Sequence, residues 1–222
     1  MKKPRVIIAG ASSGVGKTSI TCSIIYGIKQ KGYSVQPFKV GPDYIDPTYL
    51  SAISGNSTRN LDSWIMGEKA TLESFSKNSQ SDISIIEGVM GYYDGFSGIS
   101  NQSSTHHIAT ILNSPVILVL DASKTARSIA ATALGFMKFH KNSRIVGLIL
   151  NKIGSKKHEQ MCRAALRTIK IPIIGCIPKN SELSLESRHL GLIPTIEQTN
   201  LKQKIIDISK KIRPYLDIEK II

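Results

Sequence analysis

The chain has 222 residues and a formal net charge of +13, a length that fits one large domain better than two small ones. No apolar run approaches the roughly 20 residues that a membrane-spanning helix needs, and the N-terminus lacks a signal-peptide core, so we expect a cytoplasmic protein. The cysteines Cys22, Cys162 and Cys176 show neither disulfide nor zinc spacing, whereas the positive charge favours an anionic partner.

The first predicted element is an apolar strand, Val6 to Ala9, followed by a glycine-rich turn and a helix from Ser19 to Lys31. A turn of this kind directs several backbone N–H groups and the positive end of a helix dipole to one place, where phosphate is stabilised. We predict that a nucleotide binds there, with Lys17 on the β- and γ-phosphates and the Thr18 hydroxyl on Mg²⁺. The predicted nucleotide-binding residues of this phosphate loop are Ser12, Ser13, Gly14, Val15, Gly16, Lys17 and Thr18.

The phosphate loop departs from the strict pattern in one place, since Ala11 stands where glycine is usual and Gly10 precedes it. The alternative to nucleotide binding is a glycine-rich turn that binds nothing. The order of strand, loop, Gly-Lys-Thr and helix favours the nucleotide.

A second predicted strand, Tyr33 to Lys39, leads into a structured loop from Val40 to Leu50 that is broken by glycine and proline. Asp43 and Asp46 in this loop would lie at the carboxyl edge of a parallel sheet, where ligands bind. They could hold Mg²⁺ or handle a proton, or they could only cap the turns and the following helix.

A third predicted strand, Ile83 to Glu87, ends in an acid and is followed by a glycine-rich segment. A carboxylate at the tip of a buried strand beside a phosphate loop is well placed to hold Mg²⁺, so Glu87 is the strongest acidic candidate. The single tryptophan, Trp64, is expected in the core. His106 and His107 are expected to be structural.

Strands and helices alternate through the rest of the chain, which predicts an α/β fold with a mostly parallel sheet covered by helices on both faces. Asn151, at the exit of one strand, could read a purine through its amide or cap the next turn. The remaining predicted helices are 67–78, 104–112, 125–140, 156–170 and 199–215, and the remaining strands are 115–121, 145–152 and 173–177.

The sequence resembles the ATP-binding half of the cobyrinic acid a,c-diamide synthase family, within the dethiobiotin-synthetase-like P-loop class. The resemblance runs from Val6 to about Ile222, and its two most specific blocks are Val40 to Pro47 and Glu87 to Gly95. The other blocks are Ala11 to Thr18, Phe38 to Leu50, Asn60 to Gly67, Leu150 to Lys152 and Arg188 to Leu192.

The resemblance implies that ATP activates tetrapyrrole carboxylates as acyl phosphates, which ammonia converts to amides. Lys17, Asp46 and Glu87 are then the implied catalytic residues, and Thr18, Asp43 and Glu87 the implied Mg²⁺ ligands. Asn151 and Pro178 match positions that surround adenine in relatives. The positive charge of the chain suits a substrate with several carboxylates.

Two departures qualify the resemblance. The family's Pro-Glu pair is Glu186-Ser187 here, and no cysteine is placed as a glutaminase nucleophile. We therefore expect residues 1–222 to form a single amidoligase domain without the family's C-terminal glutaminase, although Tyr215 to Ile222 resembles the connector that precedes it. Ammonia would come from solution or from a separate glutaminase, and a homodimer is one assembly left open.

Two other classes compete with this interpretation. Dethiobiotin synthetase has a similar length and fold, but the Phe38 to Pro47 loop and the Glu87 to Gly95 block resemble the diamide synthases instead. Partition or division-site ATPases, which bind DNA or membrane, usually carry a lysine where this chain has Ser12, and no basic amphipathic tail follows. Nucleic-acid binding is therefore not expected. A regulatory module without catalysis is a further alternative.

Overall fold

A computed structural model describes residues 3–183 and 198–222, without the side chains of residues 198–200. The family block from Glu186 to Leu192 lies outside the described residues. The described strands are β1 (Arg5–Gly10), β2 (Val35–Val40), β3 (Arg59–Leu61), β4 (Ile83–Glu87), β5 (Val116–Asp121), β6 (Ile145–Ile153) and β7 (Ile173–Pro178). The described helices are α1 (Lys17–Gln30), α2 (Asp46–Ser54), α3 (Gly67–Asn78), α4 (Thr105–Ile111), α5 (Ser128–Lys138), α6 (Lys156–Leu166) and α7 (Gln198–Ile212).

The seven strands form one parallel sheet in the order β3-β2-β4-β1-β5-β6-β7. Its central strands are apolar throughout because both of their faces are buried. Ile8 and Ile117 pack on the side of α1, α2 and α7, whereas Ile7 and Leu118 pack on the side of α3 to α6. The predicted fold class, a parallel sheet covered on both faces, is confirmed.

The chain order of the sheet reverses at β1, which lies between β4 and β5. In open α/β sheets a ligand binds at this switch point, beyond the carboxyl ends of the strands. The loops that follow β1, β2 and β4 therefore lie together at one edge. The predicted phosphate loop follows β1, Asp43 follows β2 and Glu87 ends β4, so these candidates lie at this edge.

Most predicted boundaries agree with the structure, and α3 and β4 agree to the residue. The segment from Val40 to Leu50 was expected to be a loop, but its second half is helical because α2 begins at Asp46. Pro47 in the first turn favours this start, since its missing N–H costs nothing there. The three-residue edge strand β3 was not predicted, because it is too short to show a period.

The C-terminal segment packs on the sheet. Leu216 forms a bridge with Gly175, and Leu216, Ile218 and Ile221 are buried in the same core as α1. The longest described helix, α7, has 15 residues, and within residues 3–183 and 198–222 no helix is long and apolar enough to cross a bilayer.

A buried polar relay joins α4 to the loop that follows β4. His140 Nδ1 accepts from the backbone N–H of Asn142, so it must accept from His106 Nε2 as well, at 3.1 Å. His106 Nδ1 is then the acceptor for the hydroxyl of the fully buried Tyr92, at 3.0 Å. Burial, reinforced by His140 and His107, lowers the pKa of His106 to about 4.

This lowered pKa predicts a pH dependence of stability. Between pH 6.5 and about pH 4, His106 is protonated in the unfolded chain but not in the folded chain. The free energy of unfolding therefore decreases as the pH is lowered through this range. We expect the free energy of unfolding to fall by up to about 1.4 kcal/mol per pH unit from this group. The variant His106→Gln should flatten the dependence in urea unfolding. Equal slopes for wild type and His106→Gln would contradict the assignment.

Candidate functional site

The phosphate loop has the backbone shape that an anion site requires. Gly14 and Gly16 have φ of 73° and 91°, values that side chains with a Cβ rarely adopt. Asn151 Nδ2 donates to the Val15 carbonyl at 2.8 Å, and a Cβ on Gly16 would lie 2.5 Å from that nitrogen. The loop is therefore supported from the tip of β6.

Lys17 is almost fully buried at the start of α1, with 9% of its surface exposed. Its Nζ donates to the Met90 carbonyl at 2.6 Å and to the Ser12 carbonyl at 3.4 Å. Burial, followed by the charge of Lys39, lowers the pKa of Lys17. Two carbonyls thus hold an ammonium that a phosphate could engage.

Glu87 is the buried acid of the site, with 0% exposure. Its Oε1 accepts from the Thr18 hydroxyl and from Lys39 Nζ, each at 2.9 Å. Its Oε2 is buried with no hydrogen-bond partner. An unpartnered carboxylate oxygen of this kind is costly unless a cation or a donor arrives to meet it.

Lys39 is the residue that sequence reasoning missed. It pairs in register with Glu87 on the neighbouring strand, and only 2% of it is exposed. Its Nζ lies 2.5 Å from Asp46 Oδ2 and 3.6 Å from Asp43 Oδ2. Burial alone would lower the pKa of Lys39, but Glu87 and Asp46 outweigh it and hold that pKa above its ordinary value. A lysine inside an apolar strand, one residue from its carboxyl end, was the available signal.

The structure brings Asp43, Asp46 and Glu87 together around Lys39 as expected from the sheet edge. Asp43 also serves the local turn, because its Oδ1 accepts from the N–H groups of Ile45 at 2.8 Å and Asp46 at 3.4 Å. Asp43 Oδ2 lies near Lys39, so the same carboxylate both caps the turn and forms an ion pair.

The oxygen atoms of Thr18 and Glu87 suit Mg²⁺, a hard cation that proteins hold through one or two carboxylates plus phosphate oxygens and water. Glu87 Oε2 is the observation in favour, since it is buried and unpartnered beside the Thr18 hydroxyl. The described part of the chain holds no group of three or more His, Cys, Asp or Glu side chains able to bind a metal. A metal here would therefore depend on the nucleotide for its other ligands.

The expected adenine-binding residues lie on the β6 and β7 side. Both ends of the Asn151 amide are engaged, because Oδ1 accepts from the Lys152 N–H at 2.9 Å while Nδ2 supports the phosphate loop. Pro178 ends β7 opposite Ile153. Lys152 Nζ pairs with Asp121 Oδ2 at 2.7 Å, next to the phosphate loop. Contact of Asn151 and Pro178 with adenine stays a prediction.

Trp64 is not a core residue, and that expectation was wrong. It follows the edge strand β3, is 55% exposed, and stacks on Phe96 with ring centroids 4.3 Å apart. The residues before it in the turn, Asp62 and Ser63, are buried instead. The three cysteines are free and buried.

The family model described as "CobQ/CobB/MinD/ParA nucleotide binding domain" matches residues 6–193. The chain belongs to this family. The matched range contains the phosphate loop, Lys39, Asp43, Asp46 and Glu87, so the site just described lies inside the family's nucleotide-binding domain.

Three curated relatives share the name cobyrinate a,c-diamide synthase. The chain is 44% identical to the protein of Priestia megaterium over 223 residues, 46% identical to that of Synechococcus sp. over 203 residues, and 42% identical to that of Listeria innocua over 221 residues. These alignments cover 100%, 91% and 98% of this chain but 48%, 44% and 49% of the relatives. The chain thus spans about half the length of the curated relatives that it matches.

Two solved structures share the fold at low sequence identity. The MinD cell division protein of Aquifex aeolicus superposes with a TM-score of 0.56 at 17% identity, covering 94% of this chain and 96% of that one. Chloroplast FtsY from Physcomitrella patens superposes with a TM-score of 0.55 at 15% identity, covering 94% and 66%. At these identities the likeness shows the fold alone.

We expect substitution of Lys39 and of Lys152 to lower the free energy of unfolding by very different amounts. Lys39→Met would leave Glu87 buried without its cation, so we expect urea unfolding to show a loss of about 3 kcal/mol or more. Lys152→Met breaks a pair whose side chains are 37% and 33% exposed, and its cost should stay below about 1 kcal/mol. Similar losses in the two variants would contradict the central role given to Lys39.

Proposed function

We propose that this chain uses ATP and Mg²⁺ to activate side-chain carboxylates of a cobyrinic acid-like tetrapyrrole as acyl phosphates, which ammonia then converts to amides. The observation that carries the proposal is the buried Glu87 carboxylate, with one oxygen unpartnered, beside the phosphate-loop residues Thr18 and Lys17. Relatives named cobyrinate a,c-diamide synthase, 41–46% identical to this chain, support the substrate class.

The chemistry suits the residues. A carboxylate is a poor electrophile because its leaving group would be oxide, and phosphorylation supplies a better one. Phosphoryl transfer needs mainly positioning and charge neutralisation at the γ-phosphate. We assign that neutralisation to Lys17 and to Mg²⁺, with Thr18 and Glu87 as the protein's ligands. The backbone N–H groups of residues 12–18 would hold the other phosphate oxygens.

We further assign Asp43 to the metal and Asp46 to the substrate or the acyl phosphate. The distances from Lys39 support these two roles, because its Nζ lies 2.5 Å from Asp46 Oδ2 but 3.6 Å from Asp43 Oδ2. Asp46 is then fixed by a buried cation near the reacting carboxylate, while Asp43 keeps a charged oxygen that a metal could attract. Lys39 acts as a positioning residue for both Asp46 and Glu87.

The ammonia is proposed to come from a glutaminase domain or from free ammonium. Cys22, Cys162 and Cys176 are buried, and burial raises the pKa of each thiol, whereas a thiol nucleophile needs a lowered pKa. None of them is suited to split glutamine. Cytoplasmic location and a homodimeric assembly stay predictions.

A substrate panel separates this proposal from its rivals. ADP release would be followed with cobyrinic acid, a sirohydrochlorin, diaminopelargonic acid or DNA, with ammonium as the nitrogen source. We expect stimulation by a tetrapyrrole. Stimulation by diaminopelargonic acid alone would overturn the proposal in favour of a dethiobiotin synthetase, and stimulation by DNA alone would favour a partition ATPase.

The Glu87→Gln variant tests the metal site. Loss of the charged oxygen should lower tetrapyrrole-stimulated ADP release by about 100-fold or more, because metal neutralisation of a transferring phosphoryl group contributes several kcal/mol. The matched control is Glu73→Gln on the exposed side of α3, which should keep wild-type turnover. Circular dichroism would verify the fold of both variants. Near-normal turnover in Glu87→Gln would remove Glu87 from the site.

A second pair of variants tests the division between Asp43 and Asp46. Asp43→Asn keeps an oxygen for the turn but loses the charge, so the Mg²⁺ concentration for half-maximal ADP release should rise about tenfold. Asp46→Asn should lower turnover without changing the Mg²⁺ requirement. The opposite pattern in Mg²⁺ titrations would exchange the two roles.

A further inference from the structure

Two exposed aromatic rings form a stacked pair at the carboxyl edge of the sheet. Trp64 follows β3 and Phe96 lies in the loop after β4, and their planes are within 19° of parallel. Trp64 is 55% exposed and Phe96 is 61% exposed. Each ring covers one face of the other, so a large part of the remaining ring surface is open to solvent.

The loops that carry this pair expose further apolar surface. Large exposed apolar patches on a soluble protein usually mark an interaction site, whereas single exposed apolar residues are ordinary. The loops after β2, β3 and β4 expose eight large apolar side chains at this one edge: Tyr44, Ile45, Trp64, Ile65, Met66, Met90, Phe96 and Ile99.

Hydrogen bonds hold the two rings in place. Asp62 Oδ1 accepts from the N–H groups of Trp64 at 2.8 Å and Ile65 at 3.2 Å, which fixes the turn. His107 Nδ1 contacts both loops, at 3.0 Å from the Ser63 hydroxyl and 3.2 Å from the Ser103 N–H. The turn that carries Trp64 is thus held in place and joined to the loop of Phe96, which lowers the cost of ordering when a ligand binds.

The same segments contact the proposed catalytic site. Asn60, at the centre of β3, donates through Nδ2 to the carbonyls of Gly41 at 2.8 Å and Asp43 at 2.6 Å. The loop that carries Phe96 also supplies the Met90 carbonyl that holds Lys17. The segments that carry the aromatic pair therefore contact the loops of the proposed ATP site.

We propose that the Trp64–Phe96 pair binds the conjugated ring face of the macrocyclic substrate, while a peripheral carboxylate reaches Lys17 and Asp46. This inference rests on the proposed function and adds a binding site to it. Flat conjugated rings pack well on aromatic faces in offset or parallel arrangements. Pockets for such ligands are mainly apolar with a few polar groups that fix orientation.

Charge complementarity favours this occupant over a protein surface. The edge combines uncharged aromatic rings on the β3 side with the ammonium group of Lys17 near β1, which is held only by carbonyl oxygens. A ligand that matches both must join a large apolar conjugated centre to anionic groups at its rim. A macrocycle with peripheral carboxylates has this distribution in one molecule.

Binding of cobyrinic acid to the full chain, measured by equilibrium dialysis, tests the proposal. Trp64→Ala and Phe96→Ala should each raise the Kd about tenfold or more and leave the Kd of ATP unchanged. Phe96→Tyr keeps the stacking and should stay near wild type. The matched control is Tyr33→Ala, which removes an aromatic ring of 43% exposure from the opposite edge of the sheet.

Trp64 is the only tryptophan, so fluorotryptophan labelling gives a single fluorine NMR signal. We expect cobyrinic acid to shift this signal both with and without ATP. Failure of the wild type to bind any tetrapyrrole would overturn the proposed function and this site with it. Tetrapyrrole binding that is equal in Phe96→Ala and Tyr33→Ala, or that leaves the fluorine signal unmoved, would overturn only this site. If Trp64→Ala and Phe96→Ala abolish a dimer but leave the Kd of cobyrinic acid unchanged, the pair instead forms a contact between two copies of the chain.

Discussion

The site depends on one buried ion pair between neighbouring strands, Lys39 on β2 and Glu87 on β4. Two charges removed from water are tolerated only when each meets a partner at close range. The parallel register places the two side chains opposite each other, and the helix that begins at Asp46 brings a second carboxylate to the same ammonium. Thr18 completes the arrangement by donating to Glu87, which links the phosphate loop to the acids. The loops after β1, β2 and β4 are thereby held around a single charged centre.

Much of this architecture could be predicted because its causes are local. Strongly apolar runs, glycine at positions of positive φ and an acid at a strand tip are visible in the sequence, so β4, α3 and the phosphate loop were placed correctly. The proximity of Asp43, Asp46 and Glu87 followed from the rule that parallel strands share one carboxyl edge.

The errors arose where the decisive partner is distant in sequence. Lys39 was taken as an ordinary strand residue because Glu87, the buried acid opposite it, is 48 residues away on another strand. Trp64 was expected in the core on residue type alone, and only the pairing of β3 at the edge of the sheet shows that its turn faces solvent. The start of α2 was missed since glycine and proline breaks obscure a helix that Pro47 in fact favours.

The contact between Lys17 and the Met90 carbonyl has a thermodynamic consequence. A phosphate that draws the ammonium away from Met90 removes a restraint from the segment that also carries Phe96. A ligand that binds to that segment would then contact a surface that is less restrained with the nucleotide bound than without it. Linkage requires the effect to be mutual, so each ligand changes the affinity for the other by the same factor. A loop shared by two sites can in this way couple the binding of the two ligands.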